Sequence, residues 1–408
     1  MNIQTRLSVL ALLTVLLCAT VVIGQSEKTG SADESVSSLE FRSGSKRFVK
    51  ADDGTFTNSY LNGVEAWTKD RDSELSADAA IYLSSIGETR FYGSAAFRDS
   101  TRHLSADTLI YYDANEEVIA IGNVVVRETG RTFWAERVNY LKTLNLITAT
   151  GGVIVRDDSL RSSITGMEAV FNDSTDYGLI VGNPVLEKED ETESVITITC
   201  SDTLEIMQSE KTIRLWNNVV IVKDSLRAES GMAVYNDSTE VVTLMNNPKA
   251  WHVMYDSANE NNRKLTANSY VSGDTIQIYL SERKVSGVDV LGNALSTTVW
   301  RDSTETEYAK SILESAKMRL AMNDDLISGI TAEGTARNYY FKDPYDSDDI
   351  FVNEATGDTL YIIFNEGEVL QLRISGRGGG GAKGNYYEYS PIDTLKVIET
   401  EENELKEK

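Results

Sequence analysis

Histidine and cysteine are nearly missing from this chain of 408 residues, with 2 of each and only 4 prolines, while 39 Lys+Arg face 63 Asp+Glu. Each scarcity removes a class of chemistry. With His103 and His252 alone, histidine-based zinc sites and Ser-His-Asp catalysis lack raw material. A formal charge of −24 repels nucleic-acid phosphates, whose binding energy comes mostly from Lys and Arg, and this excludes nucleic acid as a partner. The composition is otherwise that of an ordinary folded chain, with 41% hydrophobic and 25% charged residues. Length alone suggests two or three domains, but that inference fails for repeat proteins, so repeats come first.

Residues 1–24 carry Arg6, an apolar run from Leu7 to Leu13 that resumes over Val15–Ile23, and small residues before Gln25. They read as a cleavable signal peptide. The alternatives are an uncleaved anchor, for which the run is short, and a lipidated Cys18, which follows Leu16-Leu17 instead of a small residue. Cleavage leaves Cys200 alone in the exported chain, so no intrachain disulfide is expected.

One unit runs from Ser105-Ala106-Asp107-Thr108-Leu109-Ile110-Tyr111-Tyr112 through a polar turn to Val118-Ile119-Ala120-Ile121-Gly122-Asn123-Val124-Val125-Val126. The same spacing recurs, with a small residue followed by a Gly or Asn: Ala77 and Gly93, Ala106 and Gly122, Ala135 and Gly151, Gly166 and Gly182, Ser201 and Asn217, Ser230 and Asn246. A wider spacing joins Gly273 to Gly292, Ser315 to Gly334 and Gly357 to Gly376, and a partial unit lies at Tyr60–Val64. The array is therefore quasi-one-dimensional.

Within each unit the apolar residues alternate. One column holds Ala80/Tyr82, Leu109/Tyr111, Val138/Tyr140, Ala169/Phe171, Leu204/Ile206, Ala233/Tyr235, Ile276/Ile278, Met318/Leu320 and Leu360/Ile362. A second holds Val118/Ala120, Ile147/Ala149, Ile213/Leu215, Val242/Leu244, Val288/Val290, Ile330/Ala332 and Leu372/Ile374. A period of two means strands with one apolar face. Glu307–Leu320 has helix-compatible composition, yet the register through Met318 and Leu320 predicts a strand. Recurrent Asp-Ser pairs mark the bends between strands, among them 72–73, 99–100, 173–174 and 237–238. The Gly/Asn column predicts a bend, a bulge or positive φ at a corner. Gly376–Gly384 reads as a flexible linker, because Gly384 follows Lys383 where a phosphate-binding loop needs Ser or Thr.

The pattern at 106–111, followed by Ala-Ile-Gly-Asn-Val-Val-Val at 120–126, resembles the OstA-like (organic solvent tolerance) family, to which LptA-type periplasmic lipopolysaccharide-transport proteins belong. The resemblance spans about 45–376 and is strongest at 75–250; it rests on repeat register, not on an active-site motif. It implies an all-β fold, an open twisted β-jellyroll or β-solenoid-like stack of about nine to ten two-strand rungs. The expected organisation is a signal peptide at 1–24, a linker at 25–44, the repeat domain at 45–376 and a Gly-rich flexible tail at 377–408. The chain departs from short family members in having more rungs and wider spacing after 250, and no barrel strands follow 376.

In that family the apolar interior carries acyl chains, so the resemblance implies a periplasmic carrier or bridge in outer-membrane biogenesis. Its partners would be lipopolysaccharide or a related lipid, other envelope lipid-transport proteins, and further copies of itself stacked head to tail through terminal strands such as Tyr60–Trp67. The lipid-groove candidates are Tyr82, Leu109, Tyr111, Val118, Val124, Val126, Val138, Tyr140, Ile147, Val153, Val155, Phe171, Leu204, Ile206 and Tyr235. Burying methylenes yields about 0.8 kcal/mol each, so one acyl chain supplies up to ~10 kcal/mol before ordering costs. Lipid phosphates would stay in water, with divalent cations between them and the acidic rim. No cofactor, metal or catalytic residue is expected. Asp78, Asp107, Asp202, Asp274 and Asp358 occupy the same place in successive rungs, which is how a turn residue behaves and not a catalyst. The alternative reading is a closed-core structural or adhesion β-solenoid of the envelope without cargo.

Overall fold

The computed structural model describes residues 38–389, apart from 159–160, 190–193, 225, 256–264, 282–283, 302–307, 324–325, 344–349, 366–367 and 377–382. The signal peptide expected at 1–24, most of the 25–44 linker and the charged end at 399–408 lie outside the described residues. Hydrogen bonds join 25 strands, and every ladder described is antiparallel. The one helical segment among the described residues is a single 3-10 turn at Lys142–Leu144. The fold is all-β, as the period of two requires. Two compact units divide at Trp216 and Asn217.

The N-terminal unit runs through β1 (Leu39–Lys50), β2 (Phe56–Thr68), β3 (Glu74–Leu83), β4 (Glu88–Arg98), β5 (His103–Tyr112), β6 (Glu117–Glu128), β7 (Arg131–Leu141), β8 (Leu146–Asp157) and β9 (Ser162–Asn172). Shorter strands follow: β10 (Tyr177–Val181), β11 (Val185–Glu189), β12 (Val195–Thr199), β13 (Thr203–Met207) and the start of β14 (Thr212–Lys223). From β1 to β9 each strand pairs with its neighbours in sequence.

Every long strand bends at mid-length, so its two halves lie in two facing half-sheets. On every second strand the bend sits on the Gly/Asn column and uses two left-handed residues in succession, whereas β3, β5, β7 and β9 cross the corner with none. Gly122 (φ 79°) and Asn123 (φ 48°) make one corner, and Asn62/Gly63, Gly93/Ser94, Gly151/Gly152, Gly182/Asn183, Asn217/Asn218 and Asn246/Asn247 repeat it. The ladder slips at the same place, between Ser105 and Thr108 on β5 and between Ile121 and Val124 on β6. Inward parity therefore shifts by one on β5, where Leu104 and Ala106 give way to Leu109 and Tyr111; β6 keeps Val118, Ala120, Val124 and Val126 inside.

At the corners built on glycine the space belongs to the side chain of the facing strand. A Cβ on Gly122 would run into the Asp107 carboxylate, and one on Gly93 into Asp78. At two Asn corners the facing residue is a glycine instead: Gly231 sits against Asn246 and Gly44 against Asn62. Asp107 also accepts a hydrogen bond from Asn123 Nδ2 at 2.9 Å, which holds the second left-handed residue in place.

The C-terminal unit continues with β15 (Leu226–Asn236), β16 (Val241–Met245), β17 (Lys249–Tyr255), β18 (Leu265–Ser272), β19 (Thr275–Ser281), β20 (Lys284–Arg301), β21 (Tyr308–Asn323), β22 (Leu326–Asp343), β23 (Ile350–Asn365), β24 (Glu368–Ser375) and β25 (Lys383–Tyr389). The wider spacing after 250 becomes longer strands, with corners at Gly292/Asn293 and Gly334/Thr335. Residues 308–320 lie in β21 as the register predicts, with Met318 and Leu320 buried.

Three expectations are corrected. Among the described residues strand structure begins at Leu39, inside the expected linker, and β1 pairs along β2, so Tyr60–Trp67 is flanked on both sides and β1 is the first described strand. At the other end, β25 lies within the segment expected as a flexible tail and pairs with β23, consistent with the strand preference of Tyr386, Tyr387 and Tyr389. Leu372, expected inside, is exposed on β24, which pairs with β23.

Candidate functional site

All the groove candidates point between the half-sheets. Tyr82, Leu109, Tyr111, Val118, Val124, Val126, Val138, Tyr140, Ile147, Val153, Val155, Phe171, Leu204, Ile206 and Tyr235 are each at most 5% exposed. In the N-terminal unit aromatic rings meet across the interior. Phe41 stacks on Tyr60 at 4.2 Å, Phe97 meets Tyr140 edge-on at 6.0 Å, and Phe133 meets Phe171 at 5.2 Å. The inward side chains of this unit are packed against one another.

One long side of this interior is formed by the corners, where the backbone itself crosses. The other side is a mouth between two rims of turns. The first rim holds the turns at 69–73 and 99–102, and the second those at 84–87, 113–116, 142–145 and 173–176. Side chains from the two rims meet. Ser38, at the start of β1, donates to Asp113 Oδ1 at 2.8 Å. Lys142 Nζ reaches Asp72 Oδ2 at 2.5 Å and Ser73 Oγ at 2.9 Å. Arg102 pairs with Asp173, and the Tyr140 hydroxyl donates to Asp99 Oδ2 at 3.1 Å.

Arg102 is the hub. Its Nε donates to Glu128 Oε1 at 2.7 Å, Arg131 holds the other oxygen of Glu128 at 2.7 Å, and its guanidinium lies 4.6 Å from the Tyr140 ring centroid. Burial pulls its pKa down, but Glu128, Tyr140 and Asp173 more than reverse that and hold it charged. Burial pushes the Asp173 carboxyl up against the pull of Arg102. Asp72 lies below the ordinary carboxylate range because Lys142 and Thr68 outweigh its burial. The phenols behind the rims shift upward through burial, Tyr111 to about 12, with Tyr82 raised further by Asp113.

Asp113 gives the seam a pH dependence. Burial raises its pKa above 3.8 in spite of hydrogen bonds from Ser38 and Tyr82. The folded state therefore binds this proton more tightly than the unfolded state, and stability from this group falls as pH climbs from 3.8 through the folded value. Asp113→Asn removes that titration. Scanning calorimetry should show a modest rise in Tm at about pH 7 and none at about pH 3.

Residues 103–284 match the family model described as LptA/(LptD N-terminal domain) LPS transport protein. The match covers less than half of the chain and falls within the repeat array. No curated protein matches the chain significantly. A solved structure that is similar is that of LptH, the LptA-homologous periplasmic component of the conserved lipopolysaccharide transport device from Pseudomonas aeruginosa. It is 11% identical over 43% of this chain and 82% of that chain, with a TM-score of 0.15. At that score the likeness carries no argument, and the fold is read from the strand register of the chain itself. Sequence periodicity picked out the buried columns, with Leu372 as an exception. It missed Arg102, Asp113 and Lys142, whose partners are remote in the chain and whose residue types do not repeat from unit to unit.

Proposed function

We propose that this LptA-like chain is a periplasmic carrier or bridge for lipopolysaccharide-type lipid in outer-membrane biogenesis, with acyl chains lodged between the half-sheets. The observation that carries this reading is the apolar column running from rung to rung through Tyr82, Leu109, Val138, Ile147 and Phe171, which offers hydrocarbon a dry environment once the side chains part. The family match over 103–284 supports it. Terminal strands support docking to envelope transport partners or to further copies, and β1 is the first described strand. It carries Arg42, Lys46, Arg47 and Lys50 on an otherwise acidic chain, which suits an acidic partner strand. The acidic remainder leaves lipid phosphates to the solvent, where salt screens repulsion beyond about 8 Å.

The closed-core structural reading is favoured by one observation, the cross-sheet aromatic pairs that fill the interior. Native mass spectrometry of protein purified gently from its own envelope separates the two. The expected result is a population heavier by one lipid mass, which collision removes. Protein that is lipid-free in every preparation, and stays so after incubation with lipopolysaccharide micelles, sinks the carrier reading.

A further inference from the structure

We propose that the mouth of the N-terminal unit is the side through which apolar chains enter and leave its interior, latched by Ser38–Asp113, Lys142–Asp72 and Arg102–Asp173. The cargo rests on the carrier reading above; the latch rests on geometry. The two long sides of the interior are built from different materials. At the corner, backbone crosses in rung after rung through pairs such as Gly122/Asn123, whereas at the mouth every crossing contact named above ends on a side chain and none belongs to a strand ladder. Parting the rims therefore breaks no strand ladder, and the left-handed pairs are the natural spine of the movement.

The closed seam also leaves polar groups unserved directly beneath it. Asn58 Oδ1 and Thr89 Oγ1 are buried without a hydrogen-bond partner. Along the ladders Asn58 lies opposite Tyr82, Tyr82 opposite Thr89, and Thr89 opposite Tyr111, so the two orphans flank the phenols that meet Asp113 and Ser38. A buried acceptor without a donor penalises the shut state, and opening relieves it by admitting water. A rim held by a few ion pairs over unsatisfied groups is poised to open; one sealed by a strand ladder would not be.

The test locks the mouth reversibly. Ser38 and Asp113 already touch through short side chains, so Ser38→Cys/Asp113→Cys in a Cys200→Ala background closes a disulfide across the rims on oxidation. Uptake of the neutral fluorophore N-phenyl-1-naphthylamine, read by its emission, reports access to the interior. Oxidation should slow uptake about tenfold, reduction should restore it, and Lys142→Met should speed it about threefold, since each shifts the balance of shut and open forms. Equal uptake by the oxidised, reduced and Lys142→Met proteins overturns the gate and leaves the carrier reading standing. No uptake by any of them, with the strand signal in circular dichroism intact, overturns both.

Discussion

Replacing Tyr111 with glutamate is expected to lower the unfolding free energy of the N-terminal unit by about 4 kcal/mol, read as a shift of the urea midpoint. Tyr111 is 2% exposed on the inward column of β5. Two losses combine there. A large ring leaves the packed interior, and a carboxylate arrives among Asp113, Glu116 and Asp72, the acidic groups that already help raise the Tyr111 phenol to about 12. Tyr140→Glu should lose only about half as much, because the Arg102 guanidinium, 4.6 Å from the ring it replaces, offers the new carboxylate a cation. Tyr111→Phe, which keeps the ring, should cost about 1 kcal/mol. A Tyr111→Glu protein with an unmoved midpoint would show that the inward column is misassigned.

Arg102→Met should cost about 3 kcal/mol in the same measurement. The arginine side chain is 4% exposed and serves Glu128 and Asp173 at once. Glu128 keeps Arg131 when Arg102 is gone, but Asp173 loses its cation while burial is already pushing its carboxyl up. Asp173 is a third exposed, which holds the expected loss to the lower end for a buried pair. Adding Asp173→Asn removes the uncompensated charge and should recover roughly half of the loss. If the double variant is no better than Arg102→Met, packing against Tyr140 carries the stability and the ion pair does not.

The strands and their inward faces were legible in the sequence because each repeats the same arithmetic. Tyr82, Tyr111 and Tyr140 fall at one place in successive units, and burial follows that column. The corner was legible by half. The Gly/Asn column marked the first left-handed residue, but the second is Asn123 in one rung, Ser94 in another and Gly152 in a third, so no single residue type announces it. The exchange of Gly122/Asp107 for Asn246/Gly231 was hidden for the same reason, since it is a rule about pairs across a ladder. The seam lay out of reach. Asp72, Asp99 and Asp173 carry the signature of turn residues, and they are turn residues; that they also meet Lys142, Tyr140 and Arg102 depends on how the half-sheets face each other. Closure of the interior was likewise beyond a pattern that fixes which face is apolar but not how far apart two faces stand.

The order of strands has a consequence in time. All-β proteins usually fold slowly because their pairings join remote segments and loop closure comes first. From β1 to β9 every ladder instead joins strands adjacent in sequence, linked by short turns, so each hairpin can zip onto its predecessor without waiting for remote segments. The seam obeys a different clock. Its contacts span 75 residues between Ser38 and Asp113, 70 between Asp72 and Lys142, and 71 between Arg102 and Asp173. Each must wait until more than two further repeats have been laid down. Local pairing therefore runs ahead of closure, and for that interval freshly paired rungs present an uncovered apolar face.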